Sequence, residues 1–550
     1  RPTRAMYRCV YLGGLVWSFA TLQWMRLGDP SMYVAWAALS IYVAMYFPAF
    51  VATSRAAVHR FSVPLTIAVP VVWVGFEYLR ATLMTGFAWY FVGHSQYVFT
   101  ELIQVSDLVG AYGVSFVVML TSACLAGLIP LKALERLKLF PPVQVPKDFE
   151  HLPEDGIVPQ NSSKAEFRRP WLHVVAAMSV LVATLAYGAI RRGQAEFVDG
   201  PRVALIQGNF PTSLKHDTSE FTTIFRYHDA LTGMTVPHQP DLIVWPETMF
   251  RWPLRIVEPG VEEAQLLAMA PPGVDIDQYR WIDSWSDPTV RDTLQQLSQR
   301  AGAAMAIGID CWVAGKDGMR VYNSSAFVTP QQGIVDRYDK MHRVPFGEYV
   351  PLKNELPMLR TFAPFPTEFG LTKGDSAHIF QHGGWSFAPV ICFEDTVPHL
   401  VRGIANGADQ KIDVFINHTN DGWFKGSSEL DQHLITASFR AVETRTPMVR
   451  AVNTGVSAVI DGDGVIREPD VFIDGDAQTP ETARRSLRDP VTGRWNKSLN
   501  AAMVMDVPLD NRQSAYVRNG DWFAQGCCFA ALLCVTAGPF RRRTQKSACE

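Results

Sequence analysis

The sequence predicts a polytopic membrane protein that carries a layered α/β domain, and two regional patterns predict it. Apolar segments long enough to cross a bilayer, which takes about 20 residues, lie near both ends: roughly 7–25, 32–53, 63–83, 108–131 and 171–190, and then 522–540. A buried soluble helix would not repeat this length and hydrophobicity six times. In the middle, β-like runs (RVALIQGNF, DLIVWPE, AAMAIGIDCWV, VYNSSAFVTP, SFAPVICFE, DVFINHTND and MVRAVNTGVSAVIDGDGVI) alternate with helical spacing at 288–301, 397–407 and 427–445. Buried strands layered with helices make an α/β unit, and the more than 300 residues from about 200 to 512 are enough to bury a core. The expected division is therefore 1–192 for the N-terminal spans, 200–512 for the α/β domain, 521–541 for a C-terminal span and 542–550 for a basic tail.

Composition narrows the function classes. A mean hydropathy of +0.04 with 11% aromatic residues averages the two regions, and a net charge of −3 offers no basic surface for nucleic acid. Five of the eight cysteines lie in apolar runs and Cys549 lies in the tail, leaving Cys311 and Cys392 in the polar body. No CxxC spacing or Cys/His cluster marks a disulfide framework or a zinc site, so no metal is expected.

Flanking charge orients the spans. Arg1, Arg4 and Arg8, then Arg55 and Arg60, then Lys132, Arg136, Lys138, Arg168 and Arg169, then Arg541, Arg542, Arg543 and Lys546 all fall on one side when the spans alternate. That side is the cytoplasm under the positive-inside rule, which puts residues 191–521 outside it, with Arg191 and Arg192 as the dissenting pair. Glu77 and Arg80 share a helix face and are expected to pair for structural reasons, with a direct substrate contact as the alternative. GFAWYFVGHSQYVF (86–99) is too broken for a span and reads as re-entrant or interfacial. Residues 141–170 read as a flexible cytoplasmic loop, and 255–288 and 470–498 as surface loops.

Chemistry concentrates in three stretches. VICFED brings Cys392 to a strand end, DLIVWPET ends in Glu247, and YDKMHRVPFGEYVP carries Lys340 and Glu348. Taken singly, a cysteine is usually a small buried hydrophobe, a glutamate after a strand a cap neighbour, and a lysine solvated. A nucleophilic thiol needs a proton acceptor and a charge that stabilises the developing oxyanion, and the order Glu, Lys, Cys supplies all three.

These strings resemble the Glu-Lys-Cys triad of the nitrilase, or carbon-nitrogen hydrolase, superfamily. With spans on both sides, and with LIQGNFPTSLK, NDGWF (420–424) and RAVNTGVSAVID (450–461), nearly the whole chain is similar to the apolipoprotein N-acyltransferase family of bacterial membranes. The resemblance implies a nitrilase-like αββα sandwich inserted between transmembrane helices. It also implies eight spans, so two more are expected ahead of the six counted here. Glu247 would be the general base, Cys392 the nucleophile that forms a thioester, and Lys340 the oxyanion stabiliser, helped by a backbone N–H near Phe393. Glu348 would hold Lys340, and Glu394 and Asn323 would support the pocket. Asn420, Asp421 and Trp423 divide evenly between structural and functional readings.

The substrates follow from the same resemblance. The donor would be a phospholipid, phosphatidylethanolamine through its sn-1 chain, and the acceptor the α-amine of an apolipoprotein's diacylglyceryl cysteine. No cofactor is implied, and the protein is expected to act as a monomer in the bacterial inner membrane. PMLRTFAPFPTEF (357–369) offers lid material, with loop packing as the alternative. His216 and Phe393 stand where relatives carry Trp and Tyr, which bears on donor preference. A membrane-tethered amidase using the same triad is the competing enzyme; a non-catalytic scaffold has no reason to keep all three residues.

Overall fold

A computed structural model describes residues 3–30, 32–129, 170–270, 278–351, 354–355, 357–358, 370–479 and 482–536. The expected cytoplasmic loop, the basic tail and all but two residues of the expected lid fall outside them. Apolar composition builds the first helices: α1 (Arg4–Thr21), α2 (Met32–Ala44), α3 (Tyr46–Phe61), α4 (Leu65–Thr82), α5 (Ala111–Leu128) and α6 (Pro170–Gly193). Among the described residues, four helical stretches are long and apolar enough to cross a membrane: Met32–Phe61, Leu65–Thr85, Ala111–Leu128 and Trp171–Gly193. The first expected span is a helix of 18 residues whose apolar length is cut by Arg4 and Arg8. The last, α11 (Trp522–Thr536), is described over 15 residues.

The segment after α4 enters the protein body. Trp89, Phe91 and His94 are buried. Glu77 and Arg80 hold this segment: Glu77 accepts from Trp73 Nε1 at 2.9 Å and from Val92 N at 2.8 Å, and Arg80 donates to Tyr90 O at 3.2 Å. Charges placed within apolar helices are thus spent on an irregular backbone whose polar groups have no water to turn to.

From Val198 the chain builds two packed sheets. The first contains β1 (Val198–Gln207), β2 (Leu242–Val257), β3 (Ala304–Gly315), β4 (Gly318–Thr329) and β5 (Gly333–Asp339), with β12 (Val471–Asp474) and β13 (Ala501–Leu509), in the order β12-β13-β1-β2-β3-β4-β5. The second contains β6 (Phe380–His382), β7 (Trp385–Ile391), β8 (Val414–Thr419), β9 (Met448–Val452), β10 (Ala458–Ile460) and β11 (Ile466–Arg467), in the order β11-β10-β9-β8-β7-β6. Leu205, Val244 and Phe327 of one sheet meet Phe387, Val390, Ile416 and Val449 of the other in one core. Helices α7 (Phe221–Thr235) and α8 (Thr289–Ala301) cover the outer face of the first sheet. Helices α9 (Pro398–Gly407) and α10 (Glu429–Thr444) cover the second. This is the αββα sandwich. The expected loop at 255–288 instead contains the end of β2 and two short helices, Glu263–Ala268 and Gln278–Ser286, anchored by Trp281 and Trp285.

Helix α10 is buried nearly all round because it has two partners. Leu434, Ala437 and Ala441 face the sandwich core, whereas Ile435, Phe439 and Val442 pack with Phe91, Tyr112 and Val114 of the apolar half. Just beyond it, Arg445 binds Asp107 at 2.8 Å, Gln104 Oε1 at 2.6 Å and Asp463 at 3.2 Å. Arg191 joins the same Asp107 at 2.8 Å, and Arg192 pairs with Glu101 and, at 3.7 Å, with Asp463. Both arginines that run against the positive-inside pattern are therefore neutralised by carboxylates. Removing one partner of a buried pair strands the other, so Arg445→Ala is expected to cost about 3–5 kcal/mol. The check is thermal unfolding in detergent; unchanged stability contradicts the assignment.

Candidate active site

The turn that carries Cys392 is over-determined. Strand β7 ends at Ile391, and Cys392 opens a one-turn helix (Cys392–Thr396) with φ +53°, a left-handed conformation unfavourable for a side chain with Cβ. Glu394 holds the turn from inside. Its carboxylate accepts from Ile391 N at 2.7 Å, Met341 N at 2.7 Å, His342 N at 2.8 Å and the Tyr338 hydroxyl at 2.8 Å. Burial pushes the Glu394 carboxyl up to about 7 against the pull of Lys340 and these donors. A buried donor left unpaired costs about 1–3 kcal/mol, so Glu394→Ala is expected to lower the unfolding midpoint steeply and to abolish alkylation of a native Cys392 site. A variant with wild-type unfolding excludes this role.

A bulge aims the opposing carboxylate. The β2–β3 register shifts between Trp245 and Phe250, and Thr248 sits at φ +51°. Such an insertion re-aims a side chain, here Glu247. Gly308 on β3 makes it possible, because a Cβ there would lie 2.2 Å from Pro246 O and 2.7 Å from Glu247 Cα. Asn323 Nδ2 of β4 donates to Glu247 Oε1 at 2.7 Å. Lys340, directly after β5, has its Nζ 3.6 Å from that oxygen and 2.6 Å from Glu348 Oε1, while Glu348 Oε2 accepts from Val344 N at 2.8 Å.

Electrostatics separate the roles. Burial pulls the fully buried Lys340 ammonium down, but Glu348 and Glu247 more than offset it, so Lys340 stays charged well above the ordinary lysine range. Burial and the Glu247 charge push the Cys392 thiol up, Lys340 pulls it down, Asp421 pushes it up again, and the Thr419 hydroxyl favours the thiolate. A thiol held up in this way needs a base at the moment of attack.

A second, wholly buried set of charges lies behind the turn. His433 of α10 has Nε2 2.9 Å from Asp395 Oδ1 and 3.2 Å from Cys392 O, and Nδ1 2.8 Å from Asp421 Oδ1. Arg450 of β9 spans Asp395 at 2.7 Å and Asp421 at 3.1 Å. Asp421, Glu429 and His433 place possible ligand atoms within 4.8 Å of one another. They do not suit a cation, however: both imidazole nitrogens face acceptors and leave no lone pair, and Arg450 already pairs with Asp421. Burial and Arg450 pull the imidazole down, yet Asp395 and Asp421 raise it to about 10.

Of the residues singled out from sequence, Glu247, Asn323, Lys340 and Glu348 form one bonded group beside the Cys392–Glu394 turn. The Phe393 ring faces His342 at 5.7 Å. Asn420 caps its own turn by accepting from Gly422 N at 3.2 Å. Asp395 and Arg450 lie in strings already singled out, VICFED and RAVNTGVSAVID, but nothing local marks what they touch, and Thr419 and His433 had no sequence signal of a contact with residue 392.

Two family models match the chain: Apolipoprotein N-acyltransferase N-terminal domain over residues 1–124, and Carbon-nitrogen hydrolase over 202–469. Together they span both the apolar helices and the sandwich with its site. The chain belongs to the apolipoprotein N-acyltransferase family. Apolipoprotein N-acyltransferase of Geobacter metallireducens is 28% identical over 542 residues, covering 97% of this chain and 85% of that one. That of Rhodopirellula baltica is 27% identical over 563 residues, covering 97% and 89%. Among solved structures, an amidase from Nesterenkonia sp. AN1 covers 60% of this chain and 99% of its own at 14% identity and a TM-score of 0.36. As a member of the apolipoprotein N-acyltransferase family, the chain is an acyltransferase of the carbon-nitrogen hydrolase superfamily, and its apolar helices make it a bacterial membrane protein.

Proposed function

We propose that the protein transfers an acyl chain from a phospholipid to the N-terminal amine of a diacylglyceryl apolipoprotein through a thioester on Cys392. The observation that carries this reading is the junction of the Glu247–Lys340–Glu348 group, with Glu247 and Lys340 buried, and the Cys392 turn with helices long enough to cross a membrane. In the first half, Glu247 takes the thiol proton, sulfur bonds the ester carbonyl carbon, and Lys340 balances the oxyanion. The ester C–O bond then breaks and Glu247 returns the proton to the departing lysophospholipid oxygen. In the second half, the acceptor amine attacks the thioester, Glu247 takes the amine proton, the C–S bond breaks and the thiolate recovers that proton.

Glu348 holds Lys340, Asn323 orients Glu247, Glu394 fixes the turn, and the Phe393 N–H is the second oxyanion donor. The family resemblance points to phosphatidylethanolamine as donor; both substrates stay in the bilayer and the nucleophile comes to them. The orientation from flanking charge puts residues 200–512 on the extracytoplasmic side of the inner membrane, between the spans of 1–192 and 521–541, in a monomer.

The test supplies the purified protein with phosphatidylethanolamine labelled in its sn-1 chain and a diacylglyceryl-cysteine peptide. Labelled N-acyl peptide and lysophospholipid in equal amounts are expected. Ammonia released from small amides, with no labelled peptide, would replace this reading with an amidase.

A further inference from the structure

We propose that His433 is a positioning residue: it fixes the Cys392 turn from behind and cancels the carboxylate field at the thiol. This rests on the reading of Cys392 as nucleophile and assigns a new role outside the Glu-Lys-Cys group.

The geometry closes a ring around Cys392. On its backbone side, His433 Nε2 donates to Cys392 O at 3.2 Å and lies 2.9 Å from Asp395 Oδ1, which belongs to the same turn. On its side-chain side, the Thr419 hydroxyl donates to Asp421 Oδ1 at 3.0 Å, and Thr419 and Asp421 both bear on the acidity of the thiol. Asp421 returns to His433 Nδ1 at 2.8 Å. One imidazole therefore grips both the carbonyl of the nucleophile and the acid that bears on its sulfur.

Every element around His433 contributes a charge or a ring. The turn 392–396 supplies Asp395, the turn 421–424 supplies Asp421, α10 supplies Glu429 with Oε1 at 3.9 Å, and β9 supplies Arg450. From the apolar half, the Trp89 ring lies 5.7 Å away. Burial and the Asp421 charge hold Glu429 well above the usual carboxylate range, so it adds no charge. Asp395 and Asp421 then balance Arg450 and the imidazolium. Without the imidazolium, one negative charge remains uncompensated behind the thiol, and it opposes thiolate formation.

The experiment is the pH profile of iodoacetamide alkylation of Cys392, read by peptide mass spectrometry on the full chain in nanodiscs. His433→Gln is expected to move the midpoint up by about one pH unit, which is about a tenfold loss of thiolate at neutral pH. Asp421→Asn combined with His433→Gln restores neutrality and is expected to recover most of that shift. Where transfer is measurable, kcat for acylation falls by roughly 10²-fold in the single variant with the donor KM unchanged. An unchanged profile in the single variant, or a double variant no better than the single, overturns the proposal; a side chain that only fills space would give that second result.

The profile needs no donor or acceptor, so its outcome is independent of the substrate reading. If His433→Gln does not fold, wild-type protein labelled with ¹⁵N in histidine answers the same question. At about pH 8.5 one imidazolium is expected, and every ring neutral overturns the proposal.

Discussion

Replacing Cys392 by alanine is expected to abolish acyl transfer while leaving the protein folded. The turn is held through backbone groups and neighbouring side chains: Glu394 binds Ile391 N, Met341 N and His342 N, and His433 binds Cys392 O. None of these bonds uses the sulfur. Loss of one half-buried sulfur atom leaves a small void, worth about 1 kcal/mol. Activity is different, because in the proposed mechanism the two half-reactions are joined only by the acyl-thioester. Removing a nucleophile of this kind costs roughly 10⁴-fold or more. Serine is expected to fare little better, since an alcohol is far harder to deprotonate than a thiol with Lys340 beside it. The measurement pairs unfolding midpoints with labelled N-acyl peptide; residual transfer above about 1% in Cys392→Ala would place the nucleophile elsewhere.

Glu247→Gln is expected to separate thiol acidity from catalysis. The carboxylate holds the Cys392 thiol up and, in the proposed mechanism, is also the proton acceptor, two opposing contributions from one residue. Glutamine keeps an oxygen for the Asn323 Nδ2 bond now made at 2.7 Å but loses the charge and the basicity. Relieved of the nearby negative charge and still facing Lys340, the thiol ionises at lower pH, so alkylation at neutral pH becomes faster. Acyl transfer, which needs the proton carried to the leaving oxygen and later removed from the amine, falls by roughly 10²–10⁴-fold. Opposite movements of the two readouts identify a general base. Parallel loss would show that Glu247 merely holds the site's shape.

The long, locally patterned elements were the readable part of this sequence. Strands such as β3, β8 and the second half of β1 are buried on nearly every side chain and announce themselves as short apolar runs. Apolar helices of span length do the same. Less readable were elements whose stability comes from distant partners. MVRAVNTGVSAVIDGDGVI reads as one run but breaks into β9, β10 and β11, separated by turns at Asn453–Gly455 and Gly462–Gly464. α7, with alternating polar and apolar positions in FTTIFRYHDALTGMT, is defined by packing on the first sheet through Ile224 and Leu231.

The site divides the same way. Glu247, Lys340 and Cys392 stand in distinctive strings, at the bulge of β2, directly after β5 and directly after β7, whereas His433 is a lone histidine in a helix. Its importance depends on Cys392, Asp395 and Asp421 arriving from elsewhere in the chain. Arg191 and Arg192 read as exceptions to a charge rule until Asp107, Glu101 and Asp463 are seen beside them.

The two halves also meet through rings. Trp24 packs at 4.8 Å on Phe424 and 5.4 Å from Trp89, and Trp89 lies against His433. The segments that join the apolar helices thus reach His433 behind the Cys392 turn directly.

The most direct test of the central claim, a covalent acyl-cysteine between two lipid substrates, omits the acceptor. Purified protein is mixed with phosphatidylethanolamine labelled in its sn-1 chain and examined by intact-protein and peptide mass spectrometry. One acyl group on Cys392, released by neutral hydroxylamine and consumed when a diacylglyceryl peptide is added, is the predicted result. Transfer to the peptide with no adduct at Cys392 at any time would contradict it, because the acyl chain would then pass directly from lipid to amine.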